Sequence, residues 1–141
     1  MVPLSIAWLS SRVLGSDLCS TTQIQLANGL VARGHKVEFY SPGISVGNSF
    51  THYSIKRSNL RGLQSKSVTK RMSEHLNKIK ECAIIMIDWS IFGIVDKINK
   101  PVILMDRGPP ADSGFLAKLQ WIPWRRAWSK SNRGTTVSEA H

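Results

Sequence analysis

Hydrophobic and polar positions change period along the chain, and the changes mark out its elements. Leu4-Ser5-Ile6-Ala7-Trp8-Leu9 is a short, mostly apolar run of strand length. From Leu18 to Ala32 the apolar residues recur at helical spacing, with Ile24, Leu26, Ala27, Leu30 and Val31 on one broad face. The intervening residues, Ser10 to Asp17, are those of a turn and a helix start. Ser16 or Asp17 can cap the helix, because a short side-chain oxygen accepts from its first free N–H groups. Arg33-Gly34-His35 ends it: cations suit the negative helix end, and Gly34 can take the left-handed conformation just past the last turn. Lys36-Val37-Glu38-Phe39-Tyr40 then alternates as a strand. The result is a β–α–β unit whose helix N-terminus faces the mouth of the sheet, a position suited to anions.

The rest of the chain extends the same plan. Ser41-Pro42-Gly43 is a turn, and the polar segment from Ile44 to Ser58 holds a short strand at His52–Lys56. Lys56, Arg57, Arg61, Lys66, Lys70 and Arg71 lead into a helix over Val68–Glu81, with Met72, Leu76 and Ile79 as its thin apolar stripe. A solvated face is preferred for these cations over a dedicated anion site. Ala83-Ile84-Ile85-Met86-Ile87 is continuously apolar, as a strand buried on both faces of a parallel sheet must be. A short helix over Trp89–Ile98, a second buried strand over Pro101–Met105 and a stiff loop over Asp106–Pro110 follow. A helix over Asp112–Ser131, kinked or broken at Pro123, leads to a closing strand at Thr135–Ser138. This order predicts an α/β fold: an open, mainly parallel, Rossmann-like sheet with helices on both faces, residues 1–141 forming one domain.

Charge narrows the partners. Nineteen Lys and Arg against nine Asp and Glu give a formal net charge of +10, which favours nucleic acid, a phosphate-bearing substrate or an acidic lipid surface. No apolar run reaches membrane-spanning length, and the first one is too short for a signal peptide and has no basic region before it. A cytoplasmic chain, peripheral at most to the inner membrane face, is the expectation. Cys19 and Cys82 are far apart and read as buried free thiols. There is no zinc spacing and no Walker loop. A dinucleotide fingerprint is missing too, since the first turn offers only Gly15 and no acid ends the second strand. A phospho-receiver would want paired acids near the first strand end, and none precedes Asp17. A basic module for nucleic acid or other polyanions, without catalysis, stays as the alternative function, although no reading helix or aromatic RNA-binding strand motif appears.

Open α/β sheets bind ligands at the carboxyl ends of their strands, here Ser10–Asp17, Ser41–Gly43, Asp88-Trp89 and Asp106–Pro110. Gly15 lets the backbone approach a ligand, with the N–H groups of Ser16 and Asp17 facing it; an ordinary strand-to-helix turn explains the residues equally well. Arg107 suits phosphate or carboxylate, or a structural pair with Asp106, Asp88 or Asp112. Asp106 and Asp88 are weak candidates for a catalytic base, strand-end aspartates being common loop caps. Trp121, Trp124 and Trp128, interleaved with Arg125, Arg126 and Lys130, suit a membrane interface or a lipid acceptor; packing on the sheet or on another domain is the preferred alternative.

Gly15-Ser16-Asp17, Leu26-Ala27, Leu30 and Arg33-Gly34-His35-Lys36-Val37 resemble the opening of group-1 (family 4-like, GT-B fold) glycosyltransferases. Pro101–Gly108, ending in Asp106-Arg107-Gly108, resembles the family's strand ending in Arg-Gly, and Thr136-Val137-Ser138-Glu139-Ala140 resembles the Val-Ser-Glu that closes its N-terminal domain. Leu14 stands where the family usually has its first glycine, and Asp106-Arg107 stands where many members have histidine. His35 orders the turn before the second strand. The resemblance implies the N-terminal, acceptor-side domain of a two-domain enzyme that moves a sugar from a nucleotide-sugar to an acceptor hydroxyl. It implies that Gly15, Ser16, Asp17, Arg107 and Gly108 meet donor phosphate or acceptor. It further implies a nucleotide-sugar co-substrate, no cofactor, no obligatory metal, and inactivity without a C-terminal donor-binding domain or partner subunit.

Overall fold

The computed structural model describes residues 2–15, 18–44, 47–60, 63–106, 115–130 and 133–136. Six strands form one sheet: β1 (Ser5–Leu9), β2 (Lys36–Ser41), β3 (Thr51–Ser54), β4 (Ile84–Asp88), β5 (Val102–Asp106) and β6 (Arg133–Thr136). Their spatial order is β3-β2-β1-β4-β5-β6, and every neighbouring pair is parallel. The helices are α1 (Leu18–Ala32), α2 (Gln64–Met72), α3 (Leu76–Ile79) and α4 (Phe115–Lys130), with 3₁₀ turns at Ser73–His75 and Trp89–Lys97. The expected Rossmann-like α/β sheet is therefore present, and wholly parallel within the described residues.

Strand alternation divides the core into two layers. Ile6, Trp8, Val37 and Phe39 meet Ala27 of α1 and Phe50 on one face. Ala7, Leu9, Tyr40, Ile85, Ile87 and Leu104 meet Val68, Met72, Ile79, Ile94 and Ala127 on the other. Trp8, Phe39 and Phe50 stack in series, with ring centroids 5.6 and 5.1 Å apart. The Trp8 indole needs an acceptor once buried, and its Nε1–H donates to Gln23 Oε1 at 3.2 Å. That requirement turns Ser20, Gln23 and Ala27 inward. Leu26, expected on the apolar face, is consequently 47% exposed.

The Arg33-Gly34-His35 sequence closes α1 by two crossing bonds, His35 N–H to Leu30 O at 3.1 Å and Gly34 N–H to Val31 O at 2.9 Å. Gly34 has φ +93°, a conformation that penalises any Cβ. His35 Nδ1 then accepts from Leu4 N–H at 3.1 Å, tying the helix end to the start of β1. The expected Val68–Glu81 helix begins earlier, at Gln64, and is interrupted at Ser73–His75. Thr69 Oγ1 donates to Ser65 O and Ser73 Oγ to Thr69 O, side-chain bonds of the type that bends a helix. Among the described residues α4 runs on through Pro123, where a kink or break was expected, so the helix is not broken there. Its preceding turn is exposed at Leu119, so water can take the carbonyl that proline leaves without a donor.

Candidate functional site

β1 and β4 lie side by side at the point where the strand order reverses, and their carboxyl ends diverge into separate loops. In open parallel sheets this is where a ligand crevice forms. Ser10, directly after β1, donates from Oγ to Asp88 Oδ2 at 2.8 Å, and Arg12 Nε lies 3.9 Å from the same oxygen. Arg12 N–H in turn donates to Ser10 Oγ at 3.1 Å. Asp88 is 1% exposed, and a carboxylate so buried needs such partners. It anchors the β1 loop from behind, in keeping with the loop-holding alternative for a strand-end aspartate. The side chain of Asp106, the other candidate base, lies outside the described residues.

Beyond Arg12 the loop is braced from β2. Leu14 N–H donates to Pro42 O at 3.2 Å, and Gly43 adopts φ +96°. A Cβ on Gly43 would stand 3.1 Å from both Leu14 N and Val13 Cγ1, so only glycine allows the two loops to touch. Gly15 also has positive φ, +76°, but the space above it is open. Its N–H donates to Ser20 Oγ at 2.6 Å, so this amide is engaged by the first turn of α1. Ser16, Asp17, Arg107 and Gly108 lie outside the described residues.

Two arginines to which the sequence reading gave no individual site role reach the β1 loop. Arg12 sits on the crevice loop, and Arg57 donates from Nη1 to Ser11 O at 3.3 Å. Ser11 Oγ also lies 3.4 Å from Ser65 Oγ at the start of α2. The front of the basic stretch thus braces the β1 loop and is more than a solvated face. The position of Arg12, three residues past the strand end, was the available signal; nothing local connects Arg57 to Ser11.

A cleft of about 370 Å³ flanks the outer end of the strand edge, lined by Gly43, Ile44, Gly47, Asn48, Phe50, His52 and Ser54. Asn28 of α1 holds its rim, donating to Asn48 Oδ1 at 3.1 Å and accepting from Ser49 N–H at 3.0 Å. His52 Nε2 lies 3.0 Å from Ser41 Oγ and 3.1 Å from Ser41 O. Burial lowers the His52 pKa, against the upward pull of the Ser41 carbonyl. The cleft's described lining is therefore uncharged at physiological pH: the Asn48 amide, the Ser54 hydroxyl and the His52 imidazole, with glycine backbone and the apolar side chains of Ile44 and Phe50.

Elsewhere the polar groups hold the fold. Burial pushes the buried Glu38 carboxyl upward, but the hydrogen bond and charge of Lys36, with Cys82 and Tyr40, outweigh it and keep Glu38 below the ordinary range. Tyr40 OH donates to Glu38 Oε2 at 3.2 Å, and burial beside that carboxylate raises the phenol. The Cys82 thiol is pushed up to about 11 by burial and Glu38, which leaves it a neutral, buried free thiol. On α4, Trp124 and Trp128 are partly buried against the core, and Trp121 packs edge-on to Trp124. Arg126 and Lys130 pair with Asp96, and Arg125 lies over the Trp121 ring. Two of the three tryptophans assigned to a membrane or lipid acceptor thus have a core-packing role. No helix among the described residues is long and apolar enough to cross a membrane.

Neither a protein-family model nor a curated protein matches the sequence. Solved structures do match the fold. Over 93% of this chain it superposes on sucrose-phosphate synthase from Thermosynechococcus elongatus with TM-score 0.70 and 11% identity. It superposes on a protein described as a UDP-N-acetylglucosamine 2-epimerase from Listeria monocytogenes with TM-score 0.62 and 7% identity, over 99% of this chain. With MurG from Acinetobacter baumannii the TM-score is 0.58, at 10% identity over 95% of this chain. The chain spans about 40% of the length of these proteins, 41%, 40% and 41% respectively. Its fold is that of a GT-B glycosyltransferase-like N-terminal domain.

Proposed function

We propose that the chain is the acceptor-side half of a glycosyltransferase that moves a sugar from a nucleotide-sugar to a hydroxyl group. The same architecture occurs in a protein described as an epimerase, so fold does not choose the reaction. The choice rests on the Gly15-Ser16-Asp17, Arg33-Gly34-His35 and Asp106-Arg107-Gly108 motifs, in that order, on a fold of this kind. The single observation that supports the reading is the Ser10–Asp88–Arg12 cluster at the β1/β4 reversal, followed on the same loop by Gly15 at positive φ with open space around it.

In the reaction the bond from the anomeric carbon to the diphosphate oxygen breaks and a bond to the acceptor oxygen forms. The acceptor proton leaves to a base, and the diphosphate carries away the bonding electrons. Catalysis of this kind is chiefly positioning and stabilisation of the departing anion. Arg12 supplies positive charge on the β1 loop, and Arg107 and Gly108, which follow β5 in the sequence, are assigned to the same anion. Ser16 and Asp17 would present the amides that open α1. The neutral cleft at Asn48, His52 and Ser54 fits a hydroxyl-bearing acceptor better than an anion. A second α/β domain is required for the donor, so these 141 residues alone transfer no sugar.

Amide chemical shifts of the chain, titrated with a nucleoside diphosphate and with a panel of neutral sugars, test the reading. Movement is expected at Arg12 and Gly15 with the diphosphate and at Asn48 and His52 with an acceptor sugar. Silence at all four, or sugar transfer by the isolated chain above a no-protein control, would overturn it.

A further inference from the structure

One side chain of the neutral cleft has its proton placed by its neighbours. Phe50, His52 and Ser54 line that cleft from the edge of the sheet, with His52 and Ser54 on one face of β3 because alternate strand residues share a face. His52 Nε2 lies 3.1 Å from Ser41 O, and a carbonyl oxygen can only accept. The ring proton is therefore on Nε2, donated to that carbonyl. Ser41 Oγ, 3.0 Å from the same nitrogen, has its own acceptor in Pro42 O at 3.4 Å and need not donate to the ring. A neutral imidazole carries a single N–H, so Nδ1 is left as a bare lone pair. Among the described residues no hydrogen bond or ion pair reaches Nδ1. The ring is half-buried, and burial keeps it uncharged at neutral pH.

From this arrangement we infer that His52 Nδ1 accepts a hydrogen bond from a free hydroxyl of an uncharged polyol bound in the cleft, and so selects which acceptor the chain takes. A phosphate or carboxylate oxygen has no proton to offer this atom, and its charge meets a lone pair. An ether oxygen at the same place is likewise a second acceptor. An ammonium group could donate, but no carboxylate in the described lining answers its charge. A hydroxyl satisfies Nδ1 with its proton and keeps its lone pairs for the Ser54 hydroxyl, two positions along the strand. The rim does not compete for the ligand's proton at this point, since Asn28 already engages Asn48 Oδ1 and the Ser49 amide. A site of this kind discriminates through the acceptor it leaves unpaired when the wrong ligand enters. The inference rests on the reading of this cleft as the acceptor site and names the group that gives it specificity.

Ring-nitrogen NMR of the full 141-residue chain, made with isotope-labelled histidine, tests it with glucose, galactose, mannose and maltose as probes. Without sugar, His52 should show the tautomer protonated at Nε2. On binding, the Nδ1 resonance should move upfield as its lone pair takes a proton donor, while Nε2 stays in place. The fully O-methylated form of the sugar that binds should leave Nδ1 unmoved and bind roughly tenfold or more weakly. Two variants separate the two ring nitrogens. His52→Gln sets an amide where Nε2 stood, keeps a donor for Ser41 O and offers nothing at Nδ1; it should keep the fold and bind roughly tenfold more weakly. His52→Asn sets its amide oxygen where Nδ1 stood and should bind better than His52→Gln, although it gives up the Ser41 bond. Equal binding by wild type and His52→Gln would overturn the inference while leaving the acceptor reading in place. So would sugar binding that shifts the Asn48 and Phe50 amides and not Nδ1. Silence of the whole cleft with every probe would overturn both.

Discussion

Asp88 is the residue on which the crevice depends. Its carboxylate holds Ser10 and Arg12, and through them the start of the loop that follows β1. Asp88→Ala would leave a buried hydroxyl without its acceptor and take a carboxylate away from the Arg12 guanidinium. We expect a loss of about 3 kcal/mol in denaturant unfolding, and a smaller loss for Asp88→Asn, which keeps an acceptor for Ser10. Gly43 acts on the same loop by occupying almost no space. Gly43→Ala combines φ +96° with a Cβ 3.1 Å from Leu14 N and Val13 Cγ1. It should cost about 1–3 kcal/mol, and shift the amide resonances of Val13 and Leu14 in an NMR spectrum. Gly15 has positive φ without crowding, so Gly15→Ala should cost less than Gly43→Ala.

At the scale of an element, α1 is defined by its ends more than by its apolar face. The Gly34 termination and the His35 bond to Leu4 fix where β2 begins, and so fix the register of Ser5 against Lys36. Gly34→Ala should therefore lower the unfolding midpoint by about 1 kcal/mol equivalent without altering the fold, checked by thermal melting and circular dichroism. The motif Arg33-Gly34-His35 could be read directly from the chain, because every group it uses lies within a few residues or at the neighbouring strand start. The solvent-facing side of α1 could not. Leu26 looked apolar by spacing, yet the helix is rotated so that Gln23 reaches the Trp8 indole. In α4 the same ambiguity hid an exposed apolar stripe: tryptophans drew attention, while the solvent-facing positions belong to Phe115, Leu119 and Ile122.

For the whole molecule, pH dependence follows from two groups on different layers. His52 has a folded pKa below its ordinary 6.5, and Glu38 one below its ordinary 4.5. In each case the unfolded chain binds a proton first as pH falls, so stability is full above the ordinary value and is lost on the way down through the folded one. Stability against unfolding should therefore fall in two stages as pH is lowered, beginning near pH 6.5 and again near pH 4.5. His52→Gln should flatten the first stage and Glu38→Gln the second. Identical pH profiles for wild type and both variants would show that neither group carries the effect. Glu38→Ala would in addition deprive the buried Tyr40 hydroxyl of its acceptor, at about 1–3 kcal/mol.

The amino-acid sequence by itself determined the elements and the class of sheet. Ile84–Ile87 and Val102–Met105 are apolar throughout, and only a strand covered on both faces uses such a run. It also determined the glycine at the end of α1, since that choice is made by backbone sterics over a few bonds. Tertiary structure decided which strand ends meet. Ser10 and Asp88 are 78 positions apart, and Arg57 reaches back 46 positions to Ser11. Such encounters depend on strand order and on the rotation that packing gives each helix, and no window of neighbouring residues contains either.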